Sequence, residues 1–437
     1  MNKLFNKIDN SQLVLLRIFY GLILFFECAG AIATGWVNEV FDVPEFTFNF
    51  IGFDFLQAPN LLSINVTYGI MALLGLMIAF GYRYRFSTIL LALLWTATYL
   101  MHKVHYNNHH YLMFLLNWIM VFVPAQNFKS IDVRQKRVKQ TNWCYQWHVW
   151  IFIGLLWIAY TYAAVAKMNP DWVRAIPLKS WLASKVNRPF VGPIYEHEAL
   201  AYAMAWGGLV FDLLVVPLLL WKPTRKVTFV ISIIFHLSNS ITFQIGTFPY
   251  TMIGASVLFF PIKTIQKRFF KRKEFFETVP QGGKPLLSRQ KRVAAVFSIF
   301  MLVQILLPLR HYTIKGNVFW TEEGHRLSWR MMLRAKQGSI KFTVTKDGKK
   351  IPCDPEKDLS RRQYFMLRVK PDVIWQYVQF LKEKHGDDIK VYVDSWVQLN
   401  NRTYYQFIKP GVNMAEAKWN YFGHADWITD FQGWDSE

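Results

Sequence analysis

The sequence predicts an α-helical polytopic membrane domain with eight or nine transmembrane helices, followed by a C-terminal α+β, mostly β, extracytoplasmic domain. Three observations carry this. The 437 residues are 53% hydrophobic and 17% aromatic, yet the net charge is +21; apolar spans joined by basic cytoplasmic loops combine those traits, whereas a soluble nucleic-acid binder does not. Nine apolar stretches approach the about 20 residues that a bilayer core requires. After Pro308 the pattern turns to short alternating segments.

The stretches lie near 12–32, 61–81, 87–102, 110–125, 145–166, 200–221, 227–245, 248–261 and 293–309. The basic residues before the first one resemble a signal peptide, but no small-residue cleavage site follows, which predicts a retained helix. The eighth, "FPYTMIGASVLFFP", is short and bounded by prolines, so it is tilted or re-entrant. Loop charge sets the orientation. With the N-terminus inside, the inner segments carry Lys3 and Lys7, Arg83 and Arg85, "KSIDVRQKRVK", "KPTRK" and the run from Lys263 to Arg292. The outer loops 33–60 and 246–247 have no Lys or Arg. This is the positive-inside pattern, and anionic lipid headgroups suffice as partners for the Lys263–Arg292 run. Only loop 167–199 departs from it, with Lys167, Arg174, Lys179, Lys185 and Arg188. The domains divide as 1–309 in the membrane and 310–437 outside.

Within the second domain, "SIKFTVTKDGKKI" alternates around an Asp-Gly turn and reads as a hairpin. "DLSRRQYFMLRVKPDVIWQYVQFLKEKHG" reads as helix interrupted at Pro371. "DIKVYVDSWVQLN" and "TYYQFIKPG" read as strands. Cys28, Cys144 and Cys353 form no disulfide framework; Cys144 falls inside and Cys353 outside.

Polar residues within apolar spans default to functional hypotheses. Arg17 and Glu27 are ten positions apart, roughly 15 Å along a helix, too far to pair. Asp212 is mid-span, and it or Arg17 can serve as a structural partner to the other or to further helices. His236 and Asn239 share a face as a possible interhelical hydrogen-bonding pair. Lys167 ends its span, where a lysine ordinarily snorkels to the interface. Arg326 and Arg330 read as surface or headgroup contacts. The stretch "HKVHYNNHHY" holds His102, His105, His109 and His110, a spacing resembling one histidine box of a membrane di-iron oxygenase. No second box accompanies it, and the other histidines are single, so no metal site is assigned.

In order along the chain, "YNNHHYL", "AVAKMNPDW", "GGLVFDLL", "FHLSNSITFQIGTFPY", "LLPLRHY", "WTEEGHRLSWRMM" and "VYVDSWVQLNNR" resemble blocks of the vitamin K-dependent γ-glutamyl carboxylases, whose bacterial relatives are grouped as HTTM proteins. The resemblance implies γ-carboxylation of glutamate residues in a protein or peptide, coupled to epoxidation of reduced vitamin K (phylloquinol or menaquinol) with O2 and CO2, without a metal and without nucleic acid. The membrane lipid is the remaining partner, and a bacterial inner membrane with a cytoplasmic N-terminus the expected location.

The resemblance also assigns residues. Lys167 matches the catalytic base; a lysine acts as base only when neutral, which apolar surroundings favour. Asn108 and His109 match a functional Asn-His pair suited to stabilising developing negative charge on a quinone oxygen. His236 and Asn239, with Met331 and Met332, match quinone-binding blocks. Trp320, Ser328 and Trp329 match positions associated with the glutamate substrate, and His325 stands where the family has Tyr. A residue preceding the base, Lys in the family, is Ala166 here. The animal enzymes' C-terminal extension is missing, which puts propeptide recognition of the animal type in doubt. Three other readings remain: a quinol epoxidase only, a His-rich metal-dependent membrane oxygenase, and a quinone- or lipid-binding protein with an adhesive outer domain.

Overall fold

The computed structural model describes residues 2–57, 60–243, 245–282 and 285–433. The membrane domain is built on α1 (Ser11–Ala33) and α2 (Leu61–Phe80), which pack backbone to backbone. A Cβ on Gly21 would lie 2.5 Å from the Ala79 nitrogen, and one on Gly75 would lie 2.7 Å from the Phe25 nitrogen. Only glycine permits that approach, and in lipid such close packing is what holds helices together. Helices α3 (Tyr84–Met101), α4 (Asn108–Phe122), α5 (Trp147–Lys167), α6 (Glu198–Leu220) and α7 (Arg225–Phe243) follow, then α8 (Phe248–Ala255), α9 (Ile262–Phe269) and α10 (Ser288–Leu306). Exposed Leu73, Val227, Ile234, Val296 and Ile299 mark the lipid-facing surface.

Among the described helices, α1, α2, α5, α6, α7 and α10 are long and apolar enough to cross a membrane. The segment from α8 and its 3-10 extension into α9 bends by 113° and makes a seventh if counted as one span. The eight-or-nine count expected from the sequence is therefore not met on length and composition. Helix α4 has only 15 residues, and α3 carries Arg85, Ser87 and Thr88 in its first turns. Both are well buried on one side, where polar groups find partners: the Tyr20 hydroxyl donates to Asn117 Oδ1 at 2.7 Å, and Trp118 Nε1 to Thr96 Oγ1 at 3.1 Å. The bend confirms the eighth stretch as irregular.

The two ends of the bundle collect different loops. At one end β1 (Lys7–Asp9) pairs antiparallel with β2 (Trp143–Tyr145), and Lys7 bridges to Val279. Lys273 meets Asp9 at 2.5 Å with both side chains fully buried. Arg17 donates to the carbonyls of Ala125, Phe128 and Lys129, so it closes the end of this bundle and pairs with neither Glu27 nor Asp212. Four of the five basic segments meet here: Lys7 with Val279 and Lys273 with Asp9, and the Arg83 N–H donates to Asp132 Oδ1 at 2.8 Å.

The C-terminal domain docks on the other end. Its sheet has the order β4-β3-β5-β6, all antiparallel, from β3 (Lys336–Lys346), β4 (Lys349–Ile351), β5 (Lys390–Leu399) and β6 (Tyr405–Gln406). The hairpin forms as the Asp-Gly turn demands, with φ of 49° at Asp347 and 73° at Gly348. Strand β5 alternates, with Val391, Val393, Val397 and Leu399 inward and Tyr392, Asp394 and Trp396 outward. Helix α11 (Arg361–Leu367) stops before Pro371, which takes the first position of α12 (Pro371–His385). The domain is α+β but not mostly β: α12 alone has 15 residues, and the "TYYQFIKPG" strand shrinks to two. Helix α12 covers the sheet's inner face, and burying Tyr377, Val378 and Leu381 against it is what selects helix there.

Ion pairs fasten the domain to the bundle. Asp372 of α12 accepts from Lys103 at 2.7 Å and Arg326 at 2.6 Å, and Asp171 from Arg402 at 2.7 Å and Asn400 at 2.5 Å. Arg326 is thus an internal bolt, not a surface or headgroup contact. Buried charges survive only when paired in this way.

Candidate active site

Two local signals set the first side chains. Asn107 caps α4, its Oδ1 accepting from the His110 N–H at 2.7 Å, which fixes Asn108, His109 and His110 on the opening turn. In "AKMNPDW", α5 ends at Lys167; Asn169 then caps a turn of helix begun by Pro170 and accepts from the Trp172 N–H at 3.0 Å. That turn folds the Trp172 ring back to within 5.5 Å of the Lys167 Nζ.

These residues line one cavity with about 120 Å³ of room for solvent inside a cleft of about 900 Å³. Around it stand Asn108 and His109 from α4, Lys167 from α5, Asp212 from α6, His236 and Asn239 from α7, and Trp329, Met331 and Met332 from the loop before β3. Nine of the residues singled out in the sequence therefore converge from five separate segments. The remaining wall is largely apolar, with Leu112, Trp172, Phe235, Phe243, Phe248 and Met252. The His109 ring stacks on Phe248 at 4.1 Å and 15°. His236 Nε2 shares a 2.9 Å hydrogen bond with the Tyr160 hydroxyl, so its interhelical partner is Tyr160 of α5, not Asn239. Among the described residues, the side chains of His109 and Asn239 have no hydrogen-bond partner and face the cavity.

Lys167 does not snorkel. It is 8% exposed, and its Nζ lies 2.5 Å from Asp212 Oδ2. The sequence showed Asp212 as a mid-span charge, but nothing in it joined positions 45 apart, and its link to Lys167 was missed. Three expected residues lie elsewhere. Trp320 is fully buried in the C-terminal core, its ring against Phe407 and its Nε1 donating to the Thr429 carbonyl at 2.8 Å. The Ser328 hydroxyl donates to the Gly324 carbonyl at 2.6 Å and lines neither space. His325 lines a second, polar chamber.

That chamber, about 820 Å³, opens beside the cavity and shares Asn108, His109, Phe248, Met331 and Met332 with it. Arg330, Arg334, Arg362 and Lys370 line it, as do Glu27 and His110, paired at 3.1 Å. No sequence signal marked these cations as a group. Below its floor lies Glu322: burial works to raise its carboxyl, but Arg334, Lys370 and Lys336 hold it well below the usual carboxylate range. His102, His105 and His110 all set their rings edge-on to Trp36, at 5.7, 5.7 and 6.2 Å. Among the described residues no three His, Cys, Asp or Glu side chains are grouped to hold a metal ion. Arg188, in the loop with unexpected cations, donates to the carbonyls of Ile241 and Thr242 at the end of α7.

The family models decide the assignment: the HTTM domain matches residues 5–263, and the vitamin K-dependent gamma-carboxylase lumenal domain matches residues 289–433. The chain belongs to the vitamin K-dependent γ-carboxylase family. No solved structure matches it. It is an integral membrane protein of that family, and the family suggests an enzyme that involves vitamin K and a glutamate-containing substrate. The lumenal-domain match accords with a C-terminal domain outside the cytoplasm.

Proposed function

We propose that this protein γ-carboxylates glutamate residues of a protein or peptide, using CO2, and couples this to oxidation of reduced vitamin K by O2 to the epoxide. One observation carries the reading: Lys167, Asp212, His109, His236 and Asn239 surround a single, otherwise apolar cavity. Its chemistry fits a naphthoquinol, because flat aromatic and methionine walls suit the rings and the unpartnered His109 and Asn239 side chains suit polar oxygens. When bound, reduced vitamin K supplies the oxygen-dependent chemistry that makes a base strong enough to deprotonate glutamate at its γ-carbon.

The chain's residues do the rest. Lys167 takes a proton from the bound hydroxyl. Asp212, 2.5 Å from the Lys167 Nζ, orients the amine and balances the charge it gains with that proton. His109 is held by its stacking on Phe248 and would present a ring nitrogen to a quinol oxygen. The stacked and methionine-rich walls exclude water, which would quench a strong base. Arg330 and Arg362 draw the substrate carboxylate into the chamber, beside Arg334 and Lys370, which Glu322 holds, and the shared wall at Asn108 and Met331 is where the two reactants would meet. His325 contributes from the chamber. Trp329 contributes from the cavity, and Trp320 and Ser328 support the loop from behind. The membrane domain runs to residue 309 and the outer domain from 310. The N-terminus lies in the cytoplasm, in a bacterial inner membrane, and the chamber faces outward; the basic segments at the opposite end support that orientation.

The test is purified protein with reduced vitamin K, O2, labelled bicarbonate and a Glu-containing peptide. Label should enter the peptide and epoxide should form, and Lys167→Ala should abolish both. Epoxide without label would reduce the activity to quinol epoxidation. Activity lost to chelators and restored by iron would point to a metal-dependent oxygenase. Neither product from folded protein would sink the proposal.

A further inference from the structure

The loop from Glu322 to Arg334 brings Trp329, Met331 and Met332 to the cavity, and its backbone is under strain. Glu322, Leu327, Trp329 and Met332 have φ of 62°, 59°, 56° and 46°, a region that side chains with a Cβ avoid. Such conformations persist only where surrounding contacts over-determine them. The contacts converge on one carboxylate. Arg334 grips Glu322 with two donors, its Nε at 2.6 Å and its Nη2 on the other oxygen. Lys370, at the start of α12, donates to the same carboxylate, and Lys336, the first residue of β3, lies 3.5 Å away. The bidentate pair therefore ties the two ends of the loop together, while the lysines tie it to the helix and sheet of the outer domain.

The tie reaches the cavity through backbone groups. The Leu327 N–H donates to the Tyr106 hydroxyl at 2.7 Å, and that hydroxyl donates to Asn108 Oδ1 at 2.9 Å. Asn108 Nδ2 in turn donates to the Arg330 carbonyl at 3.1 Å. Loop and Asn108 thus hold each other, with His109 next in the chain.

We propose that Glu322 is a positioning residue for the quinone site. By closing the strained 322–334 loop with Arg334 and anchoring it to Lys370, it sets Trp329, Met331, Met332 and Asn108 against the bound ring. The proposal rests on reading the cavity as the quinone site. It predicts that Glu322 acts on quinone affinity without touching quinone.

The experiment uses the full chain in detergent and three readouts: melting temperature, hydrogen–deuterium exchange of residues 323–333, and equilibrium binding of menaquinone-4. Glu322→Gln should speed exchange in that segment and weaken menaquinone binding about tenfold, both measured well below a melting temperature that falls because Arg334 and Lys370 lose their buried counter-charge. Glu322→Asp keeps the charge and should restore most of both. Exchange and binding like the wild type in Glu322→Gln would overturn the proposal, as would a Glu322→Asp variant no better than Glu322→Gln. Should Glu322→Gln fail to fold, Arg334→Lys removes the bidentate grip while keeping the charge. It should show the same two changes at smaller size, and its failure to do so would overturn the proposal equally. If the wild type binds no quinone while the loop still loosens in the variants, the loop tie stands, and the quinone reading and its positioning role fall.

Discussion

In the cavity one lysine faces one carboxylate among aromatic and methionine side chains. In the chamber, across a wall of Asn108, His109 and Phe248, Arg330, Arg334, Arg362 and Lys370 line a space of about 820 Å³. On the proposed function, the difference is between two unlike reactants held at one site. A flat apolar ring gains by displacing water from apolar walls, whereas a carboxylate needs cations that water can still reach until it arrives. A charge in the cavity must be balanced locally, so Lys167 carries its own counter-ion. In the chamber Arg334 and Lys370 are balanced by Glu322, and on the proposed function Arg330 and Arg362 are what a ligand completes.

Mutations should separate the two regions. The largest effect belongs to the cavity: Lys167→Ala should lower kcat for carboxylation about 10³-fold, measured by label fixed per enzyme, while menaquinone still binds. Next, Asp212→Ala strands a buried lysine and should cost about 3–5 kcal/mol of stability, read as a fall in melting temperature; Asp212→Asn should fold better yet lose about 10²-fold in kcat. On the chamber side, Arg362→Gln should raise KM for the Glu peptide about tenfold with kcat unchanged, because it removes attraction without touching chemistry. A kcat loss from Arg362→Gln, or a pure KM effect from Asp212→Asn, would break the division of labour.

The smallest expected effect is acid sensitivity of the outer domain. Burial opposes ionisation of Asp372, but Arg326 and Lys103 hold its carboxyl well below the usual range, as Arg334 and Lys370 do for Glu322. Both groups therefore bind fewer protons folded than unfolded. Their stabilisation is fully present above their ordinary values of about 4 and is lost as pH falls further, by on the order of 1 kcal/mol per pH unit for each group. Thermal unfolding followed from pH 7 to pH 3 should show stability dropping below about pH 4, and Asp372→Asn should flatten part of that slope.

The sequence by itself determined much of this. Apolar length and the placement of Lys and Arg located the membrane helices, because lipid requires continuous apolar helix whatever the packing. The Asp-Gly hairpin and the break at Pro371 were legible because each is a local backbone constraint. The ordered blocks nominated most of the residues that line the cavity. Tertiary structure decided what is non-local. That Asp212 reaches Lys167, that His236 bonds Tyr160 and that Trp320 is core rather than site all depend on which helix faces come together. So does the gathering of Arg330, Arg334, Arg362 and Lys370 into one chamber. A buried charge is tolerable only beside its partner, and no spacing along the chain records which partner the fold will bring.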